Sequence, residues 1–329
     1  MESCLKDLEL KFDDWFRRIE RIDESLQDEE TQKKFISELN STDLLLYYRE
    51  FGYCTCGRPF GPSYHPQDKP YKFFRVRLHN KKDLGESKPL QEVKEKDNRG
   101  NAILCTRFKS AKDLWCPPFR VQAKTGRAGH PTEAVLYLST HEELAKKETL
   151  PENEIKNGEF SLIEAVFSNT SNADLMINYF GYDLDEPIVF NNFEHGQFIK
   201  WVKNGVTQKV IKAYGSKCED VDQEMELWEL KYKSVQKYFM SRKNSRFIQA
   251  VISSVMWRYG QGLVEALAYP SVWWGKGCNV DCASNFSIRE SIANKKLKIR
   301  RAWYCKGEST FEYPEIDCLP PYDRHNFPR

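Results

Sequence analysis

Cys54, Cys56 and His65 are the residues whose types and spacing come nearest to a metal site. A structural zinc takes four Cys or His ligands, usually arranged as two close pairs. Here one C-x-C pair and one histidine supply three, and Cys278 and Cys282 are far off in the chain with three residues between them. The ten cysteines therefore read as ordinary reduced thiols rather than as zinc ligands, and no metal is required.

A second constellation is more informative. Between Trp115 and Glu148 the chain carries a Pro117-Pro118 corner, a Gly126-Arg127 turn, the strand-like run Val135-Leu136-Tyr137-Leu138-Ser139, and then Glu148. This sets an arginine on a loop, a tyrosine on a strand and a glutamate on a helix within one short span. Residue types alone leave two readings open. One is a site; the other is a surface arginine, a half-buried tyrosine and a solvated helix charge. The sequence holds no Walker motif, no G-x-G-x-x-G, no G-x-S-x-G and no H-E-x-x-H. A nucleotide would have to be held by some other construction.

The elements that would position these residues follow from periodicity. Phe73 to Leu78, Ala102 to Phe108, Ala134 to Leu138, Phe160 to Phe167, Leu267 to Trp274 and Leu297 to Tyr304 read as strands. Thr140 to Glu148 reads as a helix, with Thr140 as cap and Glu143 completing a capping box. Leu5 to Leu26, Asp220 to Phe239 and Arg246 to Trp257 carry helical spacing. Residues 1–52 read as a helical accessory unit and 53–71 as a turn-rich junction; residues 72–329 read as the main domain. Within that domain 81–101 reads as a charged surface insertion and 313–329 as an extended Pro-rich tail. Short strands and helices without regular βαβ alternation predict an α+β fold. A charge balance of 50 basic to 48 acidic residues argues against a dedicated nucleic-acid binder, whose phosphate contacts need a basic excess. No apolar run approaches a bilayer span, and the first residues hold no signal-peptide core, so a cytoplasmic, membrane-free protein is expected.

The Trp115–Glu148 stretch resembles the RES-domain family, in which a Gly-Arg turn precedes a v-l-Y-l-s strand and a helix bearing a glutamate. Phe74-Arg75-Val76-Arg77 is similar to the strand near the start of that domain. Far downstream, Ala266-Leu267-Ala268-Tyr269-Pro270-Ser271, followed by Gly275, Gly277 and Asn279, resembles the family's Y-P-S segment. Two separated matches in the right order are more specific than either alone.

The resemblance implies an ADP-ribosyltransferase-like mixed split sheet with NAD⁺ in its cleft. It implies an NAD⁺ glycohydrolase, or an NAD⁺ phosphorylase, that cleaves the nicotinamide–ribose bond and acts as a toxin. The alternatives are a protein ADP-ribosyltransferase using the same site, and a silent interaction module that keeps the fold. The catalytic residues implied are Glu148, Arg127, Tyr137 and Ser271. Glu148 would stabilise positive charge at the anomeric carbon, and Arg127 would pair with the pyrophosphate. Tyr137 would shape the nicotinamide pocket, and Ser271 would hold the ribose or the amide. Arg75, Arg77, His130, Tyr269 and Asn279 are further NAD⁺-binding candidates. The implied partner is a neutralising antitoxin or immunity protein.

Overall fold

The computed structural model describes residues 14, 17, 58–61, 71–79, 90–96, 100–108, 114–116, 128–130, 133–168, 174–179, 226, 239–240, 249, 252–254, 256–257, 264–271, 273, 284–307 and 309–313. They form an α+β fold with both antiparallel and parallel strand pairs. The chain divides into two compact units, each assembled from separate segments. One gathers Met1–Arg58, Gln122–Thr132 and Met176–Val272; the other gathers Pro59–Val121, Glu133–Leu175 and Trp273–Arg329. The strands in chain order are β1 Arg58–Phe60, β2 Phe73–Leu78, β3 Leu90–Lys96, β4 Ala102–Phe108, β5 Val135–Ser139, β6 Glu159–Phe167, β7 Leu175–Tyr179, β8 Ala266–Pro270, β9 Ser284–Arg289, β10 Leu297–Lys306 and β11 Ser309–Glu312. The described helices of the second unit are α1 Glu142–Thr149, α2 Glu152–Asn157 and α3 Glu290–Lys296.

In the second unit the strands lie in the order β9-β5-β2-β6-β10-β11, each paired antiparallel with its neighbours. Alternation along β2 divides its residues between the faces. Phe74, Val76 and Leu78 pack with Ala145 of α1, with Leu150, and with Phe160 and Leu162 of β6. Phe73 goes to the other face, where its ring meets Phe286 at 5.3 Å and Phe167 at 5.6 Å, both edge-on. His79 shares that second face. Its Nε2 lies 2.8 Å from the Ser161 hydroxyl, which lies 2.7 Å from the Tyr313 hydroxyl. Tyr313 in turn accepts from the Phe108 amide at 3.1 Å, tying the end of β4 to the sheet. On the α1 face, buried Glu164 is flanked by Lys72 at 3.4 Å and Arg300 at 3.3 Å.

The β2–β5 junction is the weak seam of this sheet. Only Phe74 and Ser139 pair across it, whereas β2 pairs with β6 over its whole length. Beyond that single pair, Arg75 donates from Nη1 to the Tyr137 carbonyl at 3.0 Å. A side chain there supplies the hydrogen bond that a strand would otherwise give.

Three local expectations are corrected. Residues 81–101 read as a charged insertion, yet 90–96 form β3, laddered to β4 from Leu90↔Phe108 to Lys96↔Ala102. Composition reports the exposure of Lys94 and Lys96 but not the backbone ladder, which forms regardless of side-chain charge. Gly100, at a φ of 82°, takes the left-handed conformation in the turn of this hairpin. The helix after β5 begins at Glu142, with His141 at the cap and no side-chain cap bond. Thr140 does not cap it, because its hydroxyl accepts from the Ser284 amide at 3.1 Å. The strand expected over Leu267 to Trp274 ends at Pro270.

In the first unit β7 and β8 run parallel, with Ile177↔Ala266 to Tyr179↔Ala268 in register. Residues 14, 17, 226, 239–240, 249, 252–254 and 256–257 are helical, all but Met240 inside the segments with helical spacing. Gln249 donates to the Phe239 carbonyl at 2.8 Å, joining helical residues ten apart in the chain. Residues 314–329 of the expected tail lie outside the described residues.

Candidate functional site

The site is built from β5 outward. Side chains two apart on a strand share a face, so Tyr137 and Ser139 point the same way. The antiparallel partner β9 sets Ser287 opposite Tyr137 and Asn285 opposite Ser139. Directly paired residues bring their side chains together, and here they bond. The Ser139 hydroxyl donates to Asn285 Oδ1 at 2.7 Å. Asn285 Nδ2 donates in turn to Glu148 Oε1 at 2.8 Å. Ser139 and Asn285 are buried, while Glu148 is exposed on the last turn of α1. Helix and strands thus present one carboxylate at the surface, tethered to a buried amide. Tyr137, half-buried, shares the face on which that amide lies.

Arg75 stands at the seam. It is 9% exposed and makes one hydrogen bond, to the Tyr137 carbonyl. Its Nε is buried without a hydrogen-bond partner, and among the described residues no carboxylate pairs with it. Burial, reinforced by the like charge of Arg77, pushes the guanidinium down to about 9; Cys116 and Tyr137 act in the other direction. The Cys116 thiol is raised to about 12, chiefly by burial and against the pull of Arg75. Trp115, next to it, is fully buried and donates to Asn294 of α3 at 2.8 Å.

The sequence-derived candidates separate clearly. Glu148 and Tyr137 belong to one surface of the sheet unit; Arg75, on the face of Phe73, reaches only the backbone carbonyl of Tyr137 at the seam. Arg77 lies on the opposite face of β2 from Phe74 and Val76, with its guanidinium 5.4 Å from the centre of the Phe108 ring. That is cation–π geometry. His130, Tyr269 and Ser271 belong to the first unit. The His130 ring packs edge-on against Trp257 at 5.2 Å, and Trp257 donates to the Ala128 carbonyl at 3.3 Å. Tyr269 is buried on β8 against Phe239 at 5.4 Å, and Ser271 is buried just beyond that strand. Arg127, Asn279, Cys54, Cys56 and His65 lie outside the described residues. Among the described residues no three His, Cys, Asp or Glu side chains form a metal-binding group. No helix among them is long and apolar enough to cross a membrane.

Sequence reasoning passed over Asn285. The usable signal was the alternation Asn285-Phe286-Ser287-Ile288, polar on one face and apolar on the other, which marks a half-buried strand. The asparagine that the Y-P-S resemblance names is Asn279, five residues before the start of β9. In comparison with known proteins, no family model, no curated protein and no solved structure matches the chain.

Proposed function

We propose that this protein is an NAD⁺-consuming enzyme of the RES type, built on an ADP-ribosyltransferase-like split sheet. The observation that carries the reading is Arg75: a buried guanidinium with an unpartnered Nε and, among the described residues, no carboxylate beside it. Burying an unpaired charge is costly, and among the described residues Arg75 lacks a partner that would offset the cost. A dinucleotide pyrophosphate would supply it, since the planar guanidinium matches phosphate oxygens. The phosphates would then lie at Arg75, beside the β2–β5 seam.

The reaction breaks the C–N bond between ribose and nicotinamide. The bonding electrons leave with nicotinamide, and positive charge develops at the anomeric carbon as in other glycoside cleavages. Glu148 stabilises that charge. Water then bonds to the carbon and releases a proton, giving ADP-ribose; inorganic phosphate in place of water gives ADP-ribose 1″-phosphate. Uncontrolled turnover would drain a shared cofactor, which fits a toxin held by an antitoxin or immunity protein.

Incubation of the purified chain with NAD⁺ labelled in the ribose tests this directly. Free nicotinamide with labelled ADP-ribose supports hydrolysis, and the 1″-phosphate appearing only with added phosphate supports phosphorolysis. Label retained on protein would move the reading to ADP-ribosyl transfer. Intact NAD⁺ after prolonged incubation refutes it.

A further inference from the structure

We infer that Asn285, anchored by Ser139, is a positioning residue that holds the Glu148 carboxylate in its working orientation. This rests on the proposed role of Glu148, and the observation behind it is the relay Ser139 Oγ to Asn285 Oδ1, then Asn285 Nδ2 to Glu148 Oε1, at 2.7 and 2.8 Å.

The chemistry of the three groups fixes the direction of the relay. An ionised carboxylate only accepts, so the end of the amide that faces Glu148 must be its NH₂. The carbonyl end then needs a donor, and the Ser139 hydroxyl supplies one. Reversing the amide would set its oxygen against the carboxylate. The two buried members sit opposite each other on paired strands, so the backbone ladder fixes their separation. Glu148 is the only member with a long side chain reaching solvent.

The placement of Glu148 also argues against a role in helix stability. It occupies the last turn of α1, where the helix dipole disfavours a negative charge and where Lys146 and Lys147 are the suited residues. An exposed glutamate there gains nothing from the helix dipole. A rigid buried amide bonded to one of its oxygens points the carboxylate, as second-layer donors do at designed sites.

The test uses the full chain and steady-state nicotinamide release. Asn285→Ala is expected to lower kcat about tenfold or more, the effect of losing one charge-assisted hydrogen bond, with KM for NAD⁺ changed less than about twofold. In a Glu148→Gln background the same change is expected to cost almost nothing further, because its effect runs through that carboxylate. Ser139→Ala should lower kcat by a smaller factor, and Ser139→Thr, which keeps the hydroxyl, should restore it. Should Asn285→Ala not fold, Asn285→Asp keeps the shape and the Ser139 bond but loses the donor, and the same fall in kcat is expected. Unchanged kcat in a folded Asn285 variant, or a loss that is fully additive with Glu148→Gln, overturns the inference. The side-chain amide of Asn285 gives a readout independent of activity, through ¹⁵N-asparagine labelling. Its resonance should move in Glu148→Ala and in Ser139→Ala. If the wild type releases no nicotinamide, the enzymatic reading fails; a moved resonance then upholds the relay and an unmoved one overturns it.

Discussion

Replacing Arg75 with methionine should stabilise the ligand-free protein while removing its affinity for a pyrophosphate. Folding pushes the guanidinium down to about 9, first through burial and then through Arg77. At about 1.4 kcal/mol for each tenfold change in proton affinity, this corresponds to about 5 kcal/mol against the folded, charged form. The folded pKa is below the unfolded one, so the folded state binds fewer protons between them. The cost is therefore complete below about pH 9 and fades as pH rises above it. At pH 7 all of it is present. Methionine removes that cost but strips the Tyr137 carbonyl of its donor, a loss of about 1–3 kcal/mol. After allowance for relaxation around the charge, a net gain of about 2 kcal/mol remains. For a chain of this size that raises Tm by roughly 3 °C. Thermal unfolding at pH 7 reads it, without and with ADP-ribose, which keeps the pyrophosphate and is not cleaved. Ligand at a hundred times its Kd should stabilise the wild type by about 2.7 kcal/mol and leave the variant unmoved. A variant that melts several degrees lower and still responds fully to ADP-ribose would show that Arg75 is a structural residue.

Other substitutions probe the remaining roles. Glu148→Gln is expected to lower nicotinamide release by about 10²–10³ with unchanged Tm, since the residue is exposed at a helix end; near-normal turnover would remove it from the chemistry. Arg127→Lys should raise KM for NAD⁺ more than it lowers kcat, because lysine keeps the charge but not the two-pronged geometry, and an unchanged KM would count against phosphate binding. Ser271→Ala should reduce nicotinamide release and cellular toxicity in parallel, by about tenfold or less; toxicity that persists with normal NAD⁺ levels would separate the two. Cys116, raised to about 12 by burial, should resist iodoacetamide at pH 8 in the native chain and react on unfolding, as mapped by mass spectrometry; rapid native labelling would contradict its burial.

Local pattern made several elements legible in the sequence. The strands at Phe73–Leu78 and Ala102–Phe108 fall where the runs of β-forming residues place them, because such runs carry their own signal. The α+β class followed from the mix of such runs with helical spacing. Strand β9 and helix α3 escaped, since Ser284, Asn285 and Ser287 look like loop residues until a neighbouring strand faces them. Thr140 shows the same limit: its local cap pattern lost to a cross-strand bond with Ser284. Within the site, Tyr137 and Glu148 were visible because a familiar motif frames them. The Ser139–Asn285–Glu148 relay was not, because it joins residues that no local window contains. The burial of Arg75 had one unread sign: it lies in a strand with apolar residues on both faces, where any charge has to be accounted for.

The same long-range pairings set the order in which the protein can be made. Ser139 and Asn285 are 146 residues apart, an interval of roughly 7–30 s at ribosomal rates of 5–20 residues per second. During that time β5 waits without β9, and β6 waits without β10, whose partners come from the last part of the chain. The open edges are strongly apolar: Val135, Leu136 and Leu138 on one, and Leu162, Ile163, Ala165 and Val166 on the other. Nascent chains of this protein should therefore lean on chaperones and form inclusion bodies when synthesis outpaces them. A chain cut before residue 284 would carry Tyr137 and Glu148 yet lack β9 and β10, so premature termination yields an insoluble fragment rather than a partly active one.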